Sequence, residues 1–377
     1  MQFGFTETQR LLKRTARNLA ERELATDAFT WEGAYPWENA AKLADAGLLG
    51  IALSEEHGGG GLTPLEVLLV QEEIGRVCPD SAHVVSKSSM GAPRAVDVLG
   101  SDYLRETYLP PVCAGESVMS IAISEAEAGS AAGEMTTAAT DDGDEVVLNG
   151  RKLWVTQADV ADAFLVYVRF PEGIGAVVVD RDAPGFEEGE RYTNMGGETQ
   201  SELVFDDCRL PDEQVLVRGE DAFVTLLKTF NVERCHNAMI CVSMARNAFE
   251  RTIEYATDRE QFGRPIAEFQ AIQHKLADMA IQIETARLAV LYAAATADTD
   301  DGLATRAQTS IAKVYANEVG ERVLTEALQV HGANGYAKGH PVEYMYRKIR
   351  GWKIAGGTVE IHRNGIAGLL LEEGYDP

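Results

Sequence analysis

The stretch "AFVTLLKTFNVERCHNAMICVSMARNAFERTIEYATDR", residues 222–259, sets the character of the second half of the chain. Its apolar residues recur for several helical turns on more than one face, which is typical of a helix buried on several sides. The stretches at 267–297 and 304–332 are also long and helical in pattern. Long helices of this kind predict a helical bundle from about residue 221 onward.

The rest of the chain has two other patterns. Helical spacing also dominates residues 1–117, whereas residues 118–220 contain short strand-like runs. Asn149-Gly150 lies within one of these runs and favours a two-residue hairpin, because both turn positions require positive φ. The chain is therefore predicted to be α+β, with domains at 1–117, 118–220 and 221–377. Within the last domain, "ADTDDG" at 297–302 predicts a solvent-exposed loop between helices.

Composition excludes several classes of protein. The chain has 59 acidic and 34 basic residues and a formal net charge of -25, which disfavours nucleic acid and anionic membranes as partners. No apolar stretch is long enough for a transmembrane helix, and the N-terminus does not resemble a secretory signal. The five cysteines and seven histidines lack the spacing of metal ligands. A cytoplasmic protein without a metal centre is expected.

Several short motifs combine glycine with polar or aromatic residues. "AISEAEAGS" at 122–130 predicts a loop where a planar ligand contacts backbone, and Trp154 and Thr156 share one face of a predicted strand. "DREQFGRP" at 258–265 and "QVHGANGY" at 329–336 supply an arginine and a glycine loop suited to a pyrophosphate. Each motif alone is a weak signal, since a strand tryptophan is more often core and Gly-x-Asn-Gly is usually a turn.

In combination these motifs resemble the acyl-CoA dehydrogenase family along essentially the whole chain. The matching stretches are "FTETQ", "SEEHGGGG", "YLPPVCAGE", "AISEAEAGS", "LNGRKLWVTQ", "VFDDCRLP", "DREQFGRPIAEFQAIQHKLADM", "QVHGANGY" and "GGTVEIHRN". The resemblance implies an N-terminal helical domain, a middle antiparallel β-barrel domain and a C-terminal four-helix bundle. It also implies an FAD enzyme, usually a homotetramer, that acts on an acyl-CoA and passes electrons to an electron-transfer flavoprotein.

The resemblance further implies roles for individual residues. Contacts with FAD are implied for Ile123, Ser124, Ser130, Trp154, Thr156, Arg259, Gln261, Phe262, Gln270, Gln329, Gly332, Ala333, Thr358 and Glu360. Contacts with the acyl-CoA are implied for Ser130, Asn231, Arg234, Ala355 and Gly356. The sequence departs from the family pattern at Ala126, Ala131 and Ala333, where the family usually has Pro, Asp and Gly.

The catalytic base is the residue that the resemblance does not place at once. The family removes a proton from the acyl α-carbon with a carboxylate, which medium-chain members carry where this chain has Gly356. Isovaleryl-CoA and long-chain members carry it instead in a Glu-Arg pair on an earlier helix. "FNVERCHN" at 230–237 matches that pair as Glu233 and Arg234.

Helical spacing gives a second reason to choose Glu233. Leu226, Phe230, Glu233, Asn237 and Ile240 recur every three or four residues, so Glu233 is expected on a largely apolar stripe. Burial disfavours the ionised form of a carboxylate, which suits a general base. The alternative is that Glu233 is a buried ion-pair partner of an arginine.

Gly356 is expected to act through its backbone. Its N–H is suited to donate to the thioester carbonyl oxygen, a contact commonly worth about 3 kcal/mol of barrier. The small pair Ala355-Gly356 also suggests room for a branched acyl group, as a hypothesis.

Three functions are left open by the sequence. The first is an acyl-CoA dehydrogenase that uses an electron-transfer flavoprotein, and the second is an oxidase or monooxygenase with the same fold and flavin. The third is a non-catalytic subunit of a hetero-oligomer, against which the presence of Glu233 argues.

Overall fold

The computed structural model describes residues 4–295 and 306–374 and has the predicted order of helices, strands and helices. The helices are α1 (Glu7–Leu19), α2 (Trp37–Asp45), α3 (Pro64–Gly75), α4 (Pro79–Ser89), α5 (Ala92–Leu99), α6 (Asp102–Cys113), α7 (Ala222–Thr229), α8 (Asn231–Asp258), α9 (Gln270–Ala295), α10 (Arg306–His331), α11 (Ala333–Tyr336), α12 (Pro341–Gly351) and α13 (Val359–Glu373). The strands are β1 (Met119–Ala122), β2 (Ala138–Asp142), β3 (Glu145–Thr156), β4 (Ala163–Phe170), β5 (Gly173–Asp180), β6 (Phe186–Thr193), β7 (Thr199–Pro211), β8 (Val215–Val217), β9 (Glu260–Gln261) and β10 (Arg264–Pro265). The predicted loop at 297–302 lies outside the described residues.

The chain forms two compact units. Unit 1 comprises the described residues of Met1–Glu32, Leu68–His83 and Val232–Pro377, and unit 2 comprises Gly33–Val67 and Val84–Asn231. Each unit therefore contains helices from the first third of the chain. The division into domains at 1–117, 118–220 and 221–377 stays a prediction.

Unit 2 is built around one mixed sheet. Its strands are ordered β6-β7-β3-β2-β4-β5-β8, and β1 pairs with β4. Most neighbours are antiparallel as predicted, but β1 and β4 are parallel over Met119–Ala122 and Ala163–Val166. The pairing of β2 with β4, at Ala138 and Arg169, is parallel too. The prediction of a purely antiparallel domain is therefore wrong at these two pairings. The chain passes through the β2–β3 hairpin between β1 and β4, and such a long connection permits parallel pairing.

Both faces of β4 are buried, which explains its unbroken apolar sequence. Leu165 and Tyr167 join a core cluster that includes Val96 of α5 and Leu104 of α6. The alternate residues, Phe164 among them, join a second cluster with residues of β3 and β7 on the other side of the sheet. The sheet therefore lies between helices on one face and its own curled strands on the other.

The hairpin predicted at Asn149-Gly150 is wrong. β3 runs through both residues, and its pairing with β7 shifts register between Leu148 and Gly150. The Asn149 side chain accepts from the Asp207 backbone N–H at 2.9 Å, which stabilises a β-bulge. Gly150 is required there because a Cβ atom would lie 2.6 Å from the Thr137 Cα. The tight turn lies instead between β2 and β3, where Gly143 has a φ of 73°.

The long helix predicted over 222–259 is two helices. α7 ends at Thr229, whose hydroxyl donates to the Leu226 carbonyl at 2.7 Å, and α8 begins at Asn231. This side-chain bond competes with the helical ladder at the break. The predicted stripe is therefore interrupted at Phe230. From residue 231 to 245, α8 is buried on every face except at Arg234.

Close packing in unit 1 brings α8 and α10 together. Gly320 of α10 lies against α8, since a Cβ atom there would come 3.1 Å from the Cys241 Cβ. α10 also packs against α9, α12 and α13. It is therefore the central helix of the C-terminal part of unit 1.

A buried ion-pair network joins four helices of unit 1. Glu72 and Glu73 of α3 have fully buried side chains. Lys13 of α1 bonds to Glu72 at 2.9 Å, as do Arg246 of α8 at 3.2 Å and Arg287 of α9 at 2.6 Å. Burial alone would raise the pKa of Glu72, but the hydrogen bond from Arg287 and the charge of Lys13 outweigh it and lower that pKa.

Two further findings concern the described residues only. None of their helices combines the length and the apolar character needed to cross a membrane. No group of three or more His, Cys, Asp and Glu residues within 4–295 and 306–374 has an arrangement that could hold a metal ion.

The ion-pair network predicts a large loss of stability on Glu72→Gln. The substitution leaves buried cations without their shared carboxylate, which typically costs about 3–5 kcal/mol. Urea unfolding measures this free energy. Glu318→Gln is the matched control, because its ion pair with Arg363 is partly exposed and exposed pairs contribute about 0–1 kcal/mol. Equal losses in the two variants would contradict the assignment.

The same network predicts sensitivity to acid. Burial alone would raise the pKa of Glu73, but hydrogen bonds from Arg17 and Lys13 lower it from 4.5 to about 2. A lowered pKa in the folded state means that this stabilisation is complete above pH 4.5 and is lost as the pH falls towards 2. Urea midpoints measured across this interval should fall more steeply for the parent protein than for Glu73→Gln. Parallel curves would show that Glu73 does not contribute.

Candidate active site

In unit 1, the predicted base lies near the start of α8. The Glu233 side chain is buried, with 4% of the residue exposed. One turn later on the same helix, His236 places Nε2 3.9 Å from the Glu233 Oε1. The other ring nitrogen, Nδ1, lies 2.6 Å from the Gln71 Nε2 of α3. The carboxylate therefore sits beside a polar side chain that the predicted apolar stripe did not include.

Aromatic side chains enclose the His236 ring. His83 of α4 stacks on it with ring centroids 5.5 Å apart, and Trp352 lies edge-on at 5.6 Å. Trp352 is also edge-on to His83 at 5.5 Å. These contacts fix the plane of the imidazole beside Glu233.

Gly356 lies in the loop between α12 and α13 and faces α8. Its φ is +67°, and a Cβ atom there would lie 2.3 Å from the Asn237 Nδ2. The space next to position 356 is thus occupied by the Asn237 amide, so a small residue at 356 does not by itself make room for a branched acyl group. A glycine is needed at this position for both conformation and space.

The carbonyl groups of this loop are held by α10. Lys313 is fully buried, and its Nζ donates to the carbonyl oxygens of Trp352 at 3.1 Å and Ala355 at 2.5 Å. Asn317, one turn along α10, also donates to Trp352 O. Burial lowers the pKa of Lys313 to about 8, although the nearby Cys241 acts in the opposite direction.

His362 of α13 holds the next carbonyl. Its Nε2 lies 3.0 Å from Gly356 O, and its Nδ1 lies 3.2 Å from the Ser310 Oγ. Because a carbonyl only accepts, Nε2 carries the hydrogen and Ser310 donates to Nδ1. Burial, with the Arg234 and Lys313 charges, lowers the pKa of His362 to about 4, so this ring is neutral near pH 7.

The backbone N–H of Gly356 differs from the hydrogen-bonded carbonyl groups of this loop. Among the described residues it donates to no acceptor, whereas the N–H of Ala355 bonds to Gly351 O at 3.0 Å. A donor fixed on a rigid loop and left without an internal acceptor is available to a ligand oxygen.

In unit 2, a β-bulge turns Trp154 outward. β3 and β7 shift register between Lys152 and Val155, and Trp154 has φ 61° and is 55% exposed. Thr156, two residues on, accepts a hydrogen bond from Gln200 Nε2 at 3.1 Å and keeps its own hydroxyl hydrogen. An exposed indole beside a hydroxyl donor suits a flat ring with polar edges. Bulges often re-aim side chains next to active sites.

The loop that contains Ile123, Ser124 and Ser130 is anchored by a buried ion pair. Glu125 accepts from Lys152 Nζ at 2.8 Å, and the same Nζ donates to Ile123 O at 3.0 Å. Burial alone would raise the pKa of Glu125, but Lys152 and hydrogen bonds from the backbone near Thr136 lower it to about 2. Ser124 and Ser130 thus belong to a loop that is anchored by this ion pair, and Ser130 itself is exposed.

The remaining predicted FAD residues are exposed or half-buried and belong to separate elements of unit 1. Arg259, Gln261 and Phe262 form a hairpin whose tip, Phe262, is 95% exposed. Gln270 begins α9. Further predicted contacts lie near helix boundaries: Gln329 in the last turn of α10, Gly332 between α10 and α11, Ala333 at the start of α11, and Thr358 and Glu360 at the start of α13. Thr358 caps α13 by accepting from the Ile361 N–H at 3.3 Å.

Sequence reasoning missed the side chains that position these groups. Gln71, His236, Lys313, His362 and Lys152 were assigned no role. A usable signal existed for Lys313, since a lysine inside the apolar run "SIAKVY" predicts a buried charge with a partner.

Comparison with known proteins identifies the family. Models of the N-terminal, middle and C-terminal domains of acyl-CoA dehydrogenases match residues 6–116, 120–208 and 223–371. The chain therefore belongs to the acyl-CoA dehydrogenase family. The predicted family and three-part fold are confirmed.

Individual relatives differ in the reactions for which they are named. The chain is 38% identical to a 3-sulfinopropanoyl-CoA desulfinase of Paraburkholderia xenovorans, over 98% of this chain and 97% of that protein. It is 34% identical to the caffeyl-CoA reductase–Etf complex subunit CarC of Acetobacterium woodii, over 98% and 100%. The butyryl-CoA dehydrogenase structure from Megasphaera elsdenii superposes with a TM-score of 0.93 at 30% identity, covering 99% of this chain and 100% of that chain.

FAD is the cofactor of this family, and the residues present fit it. In unit 2 the exposed Trp154 ring and the Thr156 hydroxyl suit the ring system of a flavin. In unit 1 the start of α13 offers helix N–H groups and the exposed Glu360. A role of each of these residues in holding the cofactor stays a prediction.

The geometry around Gly356 predicts a specific intolerance. Gly356→Ala forces an alanine into positive φ, which costs about 1–2 kcal/mol, and adds the contact with Asn237. Gly351→Ala is the control, because a Cβ there meets nothing within 4 Å. Urea unfolding of both variants should show a loss only for Gly356→Ala. Adding Asn237→Ala should recover the steric part, and strictly additive effects would contradict the proposed clash.

Proposed function

We propose that this protein catalyses the α,β-dehydrogenation of an acyl-CoA thioester to the trans-2-enoyl-CoA, with Glu233 as the base that removes the α-proton. The observation that carries the proposal is a buried carboxylate on α8 in a family whose reaction needs one. Position 356, the other place for that carboxylate by resemblance, has glycine and its side-chain space is taken by Asn237.

Several residues have separate roles in the proposed reaction. Glu233 takes the proton from the acyl α-carbon, and the electron pair left there forms the new double bond as hydride leaves the β-carbon. FAD, when bound, supplies the acceptor for that hydride. The Gly356 N–H donates to the thioester oxygen, where negative charge develops, and such a donor contributes about 3 kcal/mol. Lys313 and His362 keep that N–H in place through the neighbouring carbonyls.

The substrate contacts are also part of the proposal. Contacts with the acyl-CoA are proposed for Ser130 and Asn231 of unit 2 and for Arg234 and Ala355 of unit 1, each because the resemblance implies it. Asn231 begins α8 and Arg234 is half-buried, which suits side chains that meet a polar ligand at its edge.

The electron acceptor and the oligomeric state are also part of the proposal. The relative CarC is named as part of a complex with Etf, which supports an electron-transfer flavoprotein as acceptor. The exposed Phe262 tip supports a homotetramer, because the resemblance directs this hairpin to the FAD of a neighbouring subunit.

Reduction of an enoyl-CoA is the second candidate function. It is favoured by relatives named as reductases, among them an acryloyl-CoA reductase of Anaerotignum propionicum that is 34% identical. By microscopic reversibility the same residues serve both directions, and protonated Glu233 would return the proton to the α-carbon. The geometry of the base therefore suits either direction.

Glu233→Gln is the test of the base. The variant keeps the side-chain volume but removes the proton acceptor, so anaerobic bleaching of the flavin by an acyl-CoA should slow by about 10²- to 10⁴-fold. Bound FAD should be unchanged. Glu254→Gln, at an exposed position of the same helix, is the control and should react like the parent.

Other outcomes of the same assay distinguish the alternatives. The compounds tested in this assay are straight and branched acyl-CoAs of equal length, the matching enoyl-CoAs with reduced protein, and 3-sulfinopropanoyl-CoA. Bleaching by an acyl-CoA with slow reoxidation in air supports the dehydrogenase. Rapid oxygen consumption supports an oxidase, and release of sulfite without bleaching supports a desulfinase. An unchanged rate in Glu233→Gln would refute Glu233 as the base.

A further inference from the structure

His236 is oriented by an amide whose direction the structure fixes. The Gln71 Nε2 contacts His236 twice, at 2.6 Å to Nδ1 and at 3.3 Å to its backbone carbonyl oxygen. The carbonyl oxygen only accepts hydrogen bonds, so the atom facing it must be the amide NH₂ and not the amide oxygen. The same NH₂ group therefore donates to Nδ1 as well.

This contact decides where His236 carries its hydrogen. Since Nδ1 accepts from Gln71, the hydrogen of the neutral ring is on Nε2. A doubly protonated ring would place Nδ1–H against the amide NH₂, which opposes protonation. The Nε2–H group consequently faces the Glu233 Oε1, 3.9 Å away. At this distance the interaction is between the N–H dipole and the carboxylate charge and is not a hydrogen bond.

The imidazole has little freedom to present any other edge. It is fully buried, stacked on His83 and edge-on to Trp352. The ionisable groups near the pair are His83 from α4, Arg234 on α8 itself and Lys313 from α10, whose charge interacts with Glu233. Arg234 carries a constant charge, Lys313 loses its charge as the pH rises through its lowered pKa of about 8, and His236 presents to Glu233 a polarity that depends on its tautomer.

We propose that His236 is a positioning residue for the catalytic base: its Nε2–H, fixed by Gln71, faces Glu233 and directs that carboxylate. The proposal rests on Glu233 being the base, as put forward above. It also limits the path of the proton. A neutral ring that already carries hydrogen on the nitrogen facing Glu233 cannot accept another from it, so the proton taken from the substrate does not pass to His236.

Two substitutions at position 236 test the donor. His236→Phe keeps a flat ring but removes the N–H, whereas His236→Gln places an amide nitrogen near the position of Nε2. The measurement is the anaerobic rate of flavin bleaching by a reactive acyl-CoA across pH. His236→Phe should move the midpoint of the pH–rate profile up by about one unit and slow the reaction below it about tenfold. His236→Gln should restore the parent profile, which a purely structural role for the ring would not predict.

Gln71→Met provides a variant that leaves the imidazole in place. Without the amide NH₂, the hydrogen is no longer fixed on Nε2, so the pH–rate profile should differ from that of the parent. Gln282→Met on α9 is the matched control and should not shift it. The Gln71→Met variant therefore still tests the proposal if His236→Phe does not fold.

Glu233→Gln, measured alongside, separates the two levels of the proposal. If Glu233→Gln is inactive while His236→Phe and Gln71→Met keep the parent profile, the role of His236 is refuted and that of Glu233 stands. If Glu233→Gln reacts normally, the proposed function itself fails. A shifted profile in His236→Phe that His236→Gln does not restore would overturn the assignment of the Nε2–H as the active feature.

Discussion

The close approach of Gly356 to Asn237 is the constraint on which the candidate active site depends. A single added carbon at position 356 would lie 2.3 Å from the Asn237 amide nitrogen. The loop can approach α8 only because it has no side chain there, and the same approach leaves its N–H without an internal acceptor. Position 356 thus contributes a backbone donor and no acid. In this part of unit 1, the buried carboxylate comes from Glu233 of α8.

A buried cation holds the loop in this position, and unit 1 compensates its buried cations with carbonyl oxygens and carboxylates. Lys313 is fully buried, yet its ammonium group bonds to two carbonyls of the 352–356 loop. The arginines and lysine around Glu72 meet a shared carboxylate in the same way. Ion pairs of this kind are weak sources of net stability, but breaking one is costly because a buried charge is left alone. The pairs around Glu72 therefore hold α1, α3, α8 and α9 to one arrangement, and Lys313 holds the 352–356 loop to α10.

The order of helices and strands, and the buried strand β4, could be predicted because local periodicity encodes them. The family could be recognised because its motifs are collinear. Asn149-Gly150 shows where local reasoning fails, since the dipeptide that favours a hairpin also serves a bulge when Asp207 binds its side chain. The Gln71–His236 contact joins residues 165 positions apart, and no spacing rule encodes it. The positioning side chains were missed for that reason, whereas Glu233 could be predicted as the base because a motif contains it.

The direction of the Gln71 amide has a consequence for the chemistry of the whole family site in this chain. If His236 holds its hydrogen on the nitrogen that faces Glu233, no proton passes from that carboxylate to the imidazole. In the proposed reaction, transfer to His236 then does not compete with return of the proton to the substrate. Such a base suits a reaction whose net direction is set by the electron donor or acceptor. The proposed arrangement is therefore compatible with either direction, and the chain resembles both a butyryl-CoA dehydrogenase and a subunit of a caffeyl-CoA reductase complex.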